Sequence, residues 1–263
     1  LDPFLFERQP NLFYGDGGLG KSTFATLLGV MVSSGAEVGR LVAEPGNVLY
    51  LDYEADKEEI RDRTHSISAG LGLVTPPLHY RFCWQPLAAD FEQLQQVVLD
   101  LNIDFVVVDS AAAACGGKPE NAEETLQFFT ALRGLRVTSM IVAHINKQNG
   151  GKDGAFGSVF WKNNSRSMWE IRSARDAGEN ELNFSLWHRK VNGSKLHRPF
   201  AYRIEFQEQA TVFHSTSISA SPELARGGGI AKQIEALLMQ GAKTSEELAE
   251  LTQAKPETVR SLL

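Results

Sequence analysis

Nothing constrains this chain more than the run Gly15-Asp16-Gly17-Gly18-Leu19-Gly20-Lys21-Ser22, followed by Thr23. It fits the pattern G-x-x-x-x-G-K-[ST] and lies between an apolar run at 11–14 and a helical stretch at 21–33. That stretch places Phe24, Leu27, Leu28 and Met31 at helical spacing. Glycines let the backbone wrap with its N–H groups pointing inward, and the helix start adds the positive end of its dipole. A loop so built is shaped for phosphate. Lys21 is then placed to reach β- and γ-phosphates, and the Ser22 hydroxyl to hold Mg²⁺.

The surroundings alternate short apolar runs with helical stretches. Strands are expected at 11–14, 47–52, 78–83, 104–109 and 139–144, and helices at 21–33, 57–69, 90–101 and 120–135. Phe105-Val106-Val107-Val108 is apolar throughout, as suits a strand buried on both faces. Strands separated by helices argue for βαβ units, hence an α/β fold with a mostly parallel sheet. After His144 the texture changes. Residues 146–164 are rich in Gly, Lys and Asn and read as a long mobile loop, while 167–172, 182–188 and 200–206 alternate like antiparallel strands closing the sheet. Residues 215–229 collect Ser217, Ser219, Ser221, Pro222, Gly227, Gly228 and Gly229 and read as a linker. Helical patterns follow at 230–239, 245–252 and 256–263. The expected organisation is an α/β domain over 1–214, a linker over 215–229 and a small all-α domain over 230–263.

Composition narrows the setting. A chain of 263 residues with 43% hydrophobic and 22% charged residues has the make-up of a globular protein, which excludes disordered, collagenous and disulfide-scaffold classes. Two cysteines, Cys83 and Cys115, point to a reducing compartment, and neither they nor the six histidines have metal-ligand spacing. The apolar stretch 24–32 is too short to span a bilayer, no charged-then-apolar leader is read at the start, and from the start at Leu1 rather than Met a fragment or trimmed product is expected. A cytoplasmic protein without membrane partners is expected. The net charge of −6 is unevenly spread. Residues 1–143 carry 10 Lys and Arg against 19 Asp and Glu, residues 144–203 carry 11 against 5, and residues 204–263 carry 5 against 8. A basic block within an acidic chain suggests a local site for anions, nucleic acid or nucleotide phosphates.

Two carboxylates complete the phosphate chemistry. Asp109 leaves a fully apolar strand, where a charge is costly unless it has work, and orienting Mg²⁺ is such work. Glu54 follows the strand ending Tyr50-Leu51-Asp52, on the ligand side of an open α/β sheet, where it would deprotonate the attacking water. Asp52 is its rival, with Asp56 and Glu58 further along.

The order of the P-loop, Tyr50-Leu51-Asp52-Tyr53-Glu54, Val106-Val107-Val108-Asp109-Ser110 and Val142-Ala143-His144-Ile145-Asn146-Lys147 resembles the RecA-like ATPases. The likeness runs over about residues 11–206 and is greatest to the branch of the plasmid replicative helicase RepA and related phage and plasmid AAA-type ATPases. It implies a RecA-like core using ATP and Mg²⁺, with Glu54 as catalytic glutamate and His144 as the γ-phosphate sensor. Where that branch often has two histidines, Ala143 precedes a single His144. The segment around Gly157, Ser158 and Asn163-Asn164-Ser165-Arg166 resembles the one that carries an arginine finger into a neighbour's site, making Arg166 the first choice for that role and Lys190 the second. Lys147, Lys152 and Lys162, interleaved with Phe156 and Trp161, offer cations and rings for single-stranded DNA along a pore or filament axis.

The C-terminal helices resemble a winged-type helix-turn-helix, with a capping box from Thr244 to Glu247, Pro256 in a first turn, and Thr258 and Arg260 on the recognition helix. Residues 229–263 hold 4 Lys and Arg against 5 Asp and Glu, a balance that suits a protein-docking domain as well as a DNA reader. The expected activity is Mg-ATP hydrolysis driving work on DNA in replication or recombination. The chain would act in a hexameric ring or filament of copies of itself, with replication or recombination proteins as further partners. The alternative is an ATP-dependent switch or loader that docks a protein through its C-terminal helices without translocating. A small-molecule kinase is a third reading and would need an acceptor pocket or lid.

Overall fold

The computed structural model describes residues 1–144, 159–174 and 180–263. Strand β1 (Pro10–Gly15) runs through the P-loop into α1 (Lys21–Ser34). A short hairpin, β2 (Glu37–Val38) and β3 (Leu41–Val42), precedes β4 (Asn47–Asp52), α2 (Lys57–Gly70), β5 (His79–Phe82) and α3 (Phe91–Asp100). Then come β6 (Ile103–Asp109), α4 (Ala111–Cys115), α5 (Ala122–Gly134) and β7 (Thr138–His144). The second half holds α6 (Val159–Asn164), β8 (Ser167–Ala174), β9 (Glu181–Val191), β10 (Phe200–Phe206) and β11 (Thr211–Thr216). It ends in α7 (Pro222–Ala225), α8 (Ile230–Met239), α9 (Ser245–Thr252) and α10 (Pro256–Arg260).

Nine strands form one sheet in the order β11-β10-β9-β8-β1-β7-β6-β4-β5. The pairs from β8 to β5 are parallel, and β8 through β11 are joined antiparallel. β1 is thus the central strand, held by β7 on one side and β8 on the other. The antiparallel half curls over α1, so that Phe184, Tyr202, Ile204 and Phe213 share a core with Phe24, Leu27, Leu28 and Met31. This explains why 24–32 is apolar nearly all round: every residue of that run is buried. Phe24 meets Phe4 and Phe184 edge-on at centroid distances of 5.3 and 5.6 Å. The opposite face is covered by α3, α4 and α5 through Leu94, Ala111, Phe128 and Phe129.

Several elements depart from the sequence expectation. Residues 159–164, expected within a loop, form α6. Trp161, expected as a stacking ring for DNA, is fully buried against Phe128 and Phe129, and its Nε1 donates to the Pro119 carbonyl at 2.7 Å. A ring so packed offers no face to a base. Residues 215–229, expected as a linker, carry the end of β11, two single 3₁₀ turns and α7. Leu224 and Ala225 are buried, and the Ser185 hydroxyl donates to the Leu224 carbonyl at 2.9 Å. Gly227 lies so close to the Trp187 ring that a Cβ there would come within 2.2 Å of it. Arg189 ties the joint: it sits over Trp187, donates to the Gly227 carbonyl and pairs with the buried carboxylate of Glu170.

The last three helices pack around Ile234, Leu237, Leu248, Ala249 and Val259. Thr244 and Glu247 form the reciprocal capping box, and Pro256 occupies the first turn of α10. Among the described residues, no helix is long and apolar enough to cross a membrane.

Candidate active site

The parallel register brings the chemistry together at the carboxyl ends of the central strands. Gly15 pairs with His144, and Asp52 with Asp109. The P-loop glycines are required by geometry at two places. Gly20 has φ +76°, and a Cβ there would lie 2.6 Å from Leu182; a Cβ on Gly15 would lie 2.8 Å from the Ile171 carbonyl oxygen.

Lys21 is buried, and its ammonium donates to the carbonyls of Gly15 at 3.0 Å and Asp16 at 2.5 Å. It also lies 3.4 Å from Nδ1 of His144. Burial lowers its pKa to about 8, against the opposing pull of Asp109, Asp16 and Glu54. Burial and the neighbouring Lys21 charge likewise lower the His144 pKa, so its ring is held neutral. Asp109 accepts from the Tyr50 hydroxyl at 2.6 Å; burial raises its carboxyl above the ordinary range, and the nearby Tyr50 and Ser22 hydroxyls oppose that rise.

Glu54 accepts a hydrogen bond from the Ser110 hydroxyl. Its rivals are otherwise engaged. Asp52 accepts from the backbone N–H groups of Glu54 and Ala55 at 3.0 and 2.9 Å and from the Tyr80 hydroxyl at 2.9 Å. It is therefore the turn residue that aims Glu54. Asp56 caps α2 through the Glu59 N–H, and Glu58 lies exposed in the first turn of that helix.

A cavity of about 300 Å³ collects the P-loop, Glu54, Asp109 and His144, with Leu182 and Phe206 as an apolar wall. Arg63, from α2, lines it as well. Its Nη2 pairs with Glu59, while its Nη1 is buried with no hydrogen-bond partner among the described residues. The sequence reading missed this cation because a polar residue on an amphipathic helix looks like ordinary solvated surface. Its place nine positions after Glu54 and on the second turn of α2 was the available signal. A larger cavity, about 550 Å³, opens at the opposite edge between Arg8, Asp104 and Arg136 and holds none of these phosphate-site groups.

Arg166 and Lys190 are not brought here. The Arg166 N–H donates to the Pro10 carbonyl at 2.8 Å, at the start of β1. The P-loop leaves the far end of that strand, roughly 17 Å away at about 3.3 Å per residue. Lys190 donates to the carbonyls of Lys162 and Ser165, so its ammonium is committed to the end of α6. Neither cation serves the site of its own chain. Lys162 is exposed at the same far edge. Lys147, Lys152 and Phe156 lie outside the described residues.

A phosphate loop at the end of the central strand of this sheet, sharing a cavity with acids from the ends of β6 and β4, defines a RecA-like P-loop ATPase. A family model described as AAA domain (AAA_25) matches residues 1–150, more than half of the chain, and the chain belongs to that family. Its structure is similar to that of the KaiC-like protein PH0186 from the hyperthermophilic archaeon Pyrococcus horikoshii OT3. The two are 18% identical with a TM-score of 0.55, over 80% of this chain and 91% of that one. At such identity the likeness speaks for the fold. The comparison with curated proteins found no match.

Proposed function

We propose that this chain is a motor of the RepA branch, an oligomeric Mg-ATPase that works on single-stranded DNA in replication or recombination. The observation that supports hydrolysis most directly is the convergence of Lys21, Glu54, Asp109 and His144 on one cavity.

The Ser22 hydroxyl and the Asp109 carboxylate, which line the same cavity, are a hard oxygen pair that fits Mg²⁺. When bound, Mg²⁺ would offset negative charge on the β- and γ-phosphates. The P-loop N–H groups hold the β-phosphate and Lys21 swings from the Gly15 and Asp16 carbonyls to the β- and γ-oxygens. Glu54, aimed by Asp52 and Ser110, takes the proton of the attacking water. The free Nη1 of Arg63 faces charge developing on the transferred phosphoryl group from within the same chain. His144, touching Lys21, reports the state of that lysine to the segment that follows it. In an assembly, Arg166 would have to meet a neighbour's P-loop from the opposite edge of its own sheet.

The switch or loader reading has one observation in its favour. Leu238, Met239 and Leu251 are exposed on the C-terminal helices, at 41%, 69% and 52%, as apolar side chains awaiting a protein partner are. Whether those helices read DNA as a helix-turn-helix or dock a protein is the difference between the two readings.

Steady-state ATP hydrolysis with and without single-stranded DNA separates them. The motor reading expects several-fold stimulation by DNA. Lys21→Ala should lose nucleotide binding. Glu54→Gln should keep binding and lose turnover by about 10²- to 10⁴-fold, the usual worth of a general base. Hydrolysis indifferent to DNA would favour the switch.

A further inference from the structure

At the sheet edge opposite the P-loop, the end of α6 meets the start of β8 and the end of β9, and four cations gather there. Arg133, from α5, donates to the backbone and side-chain oxygens of Asn164 at 2.7 and 3.0 Å. Lys190, from β9, donates to the carbonyls of Lys162 and Ser165. Lys162 and Arg166 themselves are exposed. Among the described residues none of the four forms an ion pair. Burial pushes the Lys190 ammonium below the ordinary lysine range, and the charged groups that act on it, Lys162, Arg166 and Arg133, are all cations.

Capping accounts for two of these residues. Arg133 and Lys190 satisfy carbonyls that α6 leaves open at its carboxyl end. It does not account for Lys162 and Arg166. A helix terminus carries at most about half a negative charge, far less than four cations bring. The cluster also belongs to the stretch 144–203, where 11 Lys and Arg face 5 Asp and Glu in a chain whose net charge is −6. Cations gathered without a paired acid among the described residues repel one another, and a bound anion offsets that repulsion.

We propose that these four residues form a binding site for the phosphate backbone of a single nucleic-acid strand. Lys162 and Arg166 make the contacts, and Arg133 and Lys190 fix the turn that presents them. The cations are spread over three elements and the turn between α6 and β8, which suits successive phosphates better than one terminal phosphate. The proposal rests on the DNA reading above and gives it a surface built from α5, α6, β9 and the turn before β8.

The test is fluorescence anisotropy of a labelled oligothymidylate over a range of salt, using wild type, Lys162→Glu/Arg166→Glu and Lys162→Gln/Arg166→Gln. Both side chains are exposed, and melting curves check that the variants fold. Loss of two phosphate contacts should weaken binding about tenfold or more and flatten the salt slope by about 1.4, at about 0.7 per contact. Wild-type affinity and slope in both variants would overturn the site and leave the DNA reading standing. Failure of wild type to bind the oligonucleotide would overturn both. If charge reversal lowers the sedimenting mass while DNA affinity holds, the cluster belongs to a contact between copies and the proposal falls.

Discussion

Lys21 is buried against two carbonyls and the His144 ring, and its ammonium loses its proton near pH 8. Only the protonated form attracts a triphosphate, and a bound triphosphate restores the proton. Nucleotide affinity should therefore be flat below pH 8 and fall by up to about tenfold per pH unit above it, with proton uptake on binding. Titration of a fluorescent nucleotide across that range, in buffers of different ionisation enthalpy, checks both. His188 is a second group with a lowered pKa. Its ring stacks on Trp169, at 4.3 Å, and lies 5.3 Å from that of His197; its Nδ1 accepts from the His197 N–H, and its Nε2 meets the Ser167 hydroxyl. Burial lowers its pKa to about 4, with His197 adding to the effect. The unfolded chain protonates first, so this contribution is complete above the ordinary histidine value of ~6.5 and is lost as pH falls from there toward 4. It amounts to about 3 kcal/mol. Urea midpoints should drop over that window in wild type and drop less in His188→Gln. For Arg63, alanine substitution should cut kcat by about 10³-fold while sparing nucleotide affinity, as expected for a cation acting on the transition state. Arg63→Lys should recover part of the loss. An unchanged kcat would remove Arg63 from the chemistry.

Where an element has length and a clear period, the chain announces it. β1, β4, β6 and β7 with their helices fall within a residue or two of the sequence expectation because continuous apolar runs alternate with period-3.6 stretches. The misses have local causes. α4 is five residues, too short for a helical period to register. β11 alternates buried Thr211 and Phe213 with half-buried Val212 and His214, a weak pattern that the serines after it obscure. α6 was lost in a stretch whose glycines, lysines and asparagines drown one apolar anchor. That anchor is testable. Trp161→Ala should cost about 3–5 kcal/mol, since it removes a fully buried ring from between Phe128 and Phe129. A thermal melt measures it. At the site, the P-loop and Asp109 were legible because phosphate chemistry needs those residue types at those strand ends. The aim of Glu54 was not, because it depends on Asp52 and Ser110 from two different strand ends.

Across the whole molecule, stability is unevenly provided. The sheet buries two large apolar layers, whereas the last three helices share five buried apolar side chains. A cluster of that size contributes little beyond the entropy of ordering its backbone. Amide exchange in residues 230–263 should outpace that of β1, β6 and β7 by orders of magnitude, as for a local unit that opens alone. The charge has its own geography, with the phosphate site at one sheet edge and the cluster of Arg133, Lys162, Arg166 and Lys190 at the other. The strand that ends in the P-loop is clasped by the two strands on either side of residues 145–158, and the first of these ends at His144. A single peptide link separates that imidazole, itself touching Lys21, from Ile145. The lysine of the phosphate loop thus has, one covalent step beyond its imidazole neighbour, a chain running out of the sheet.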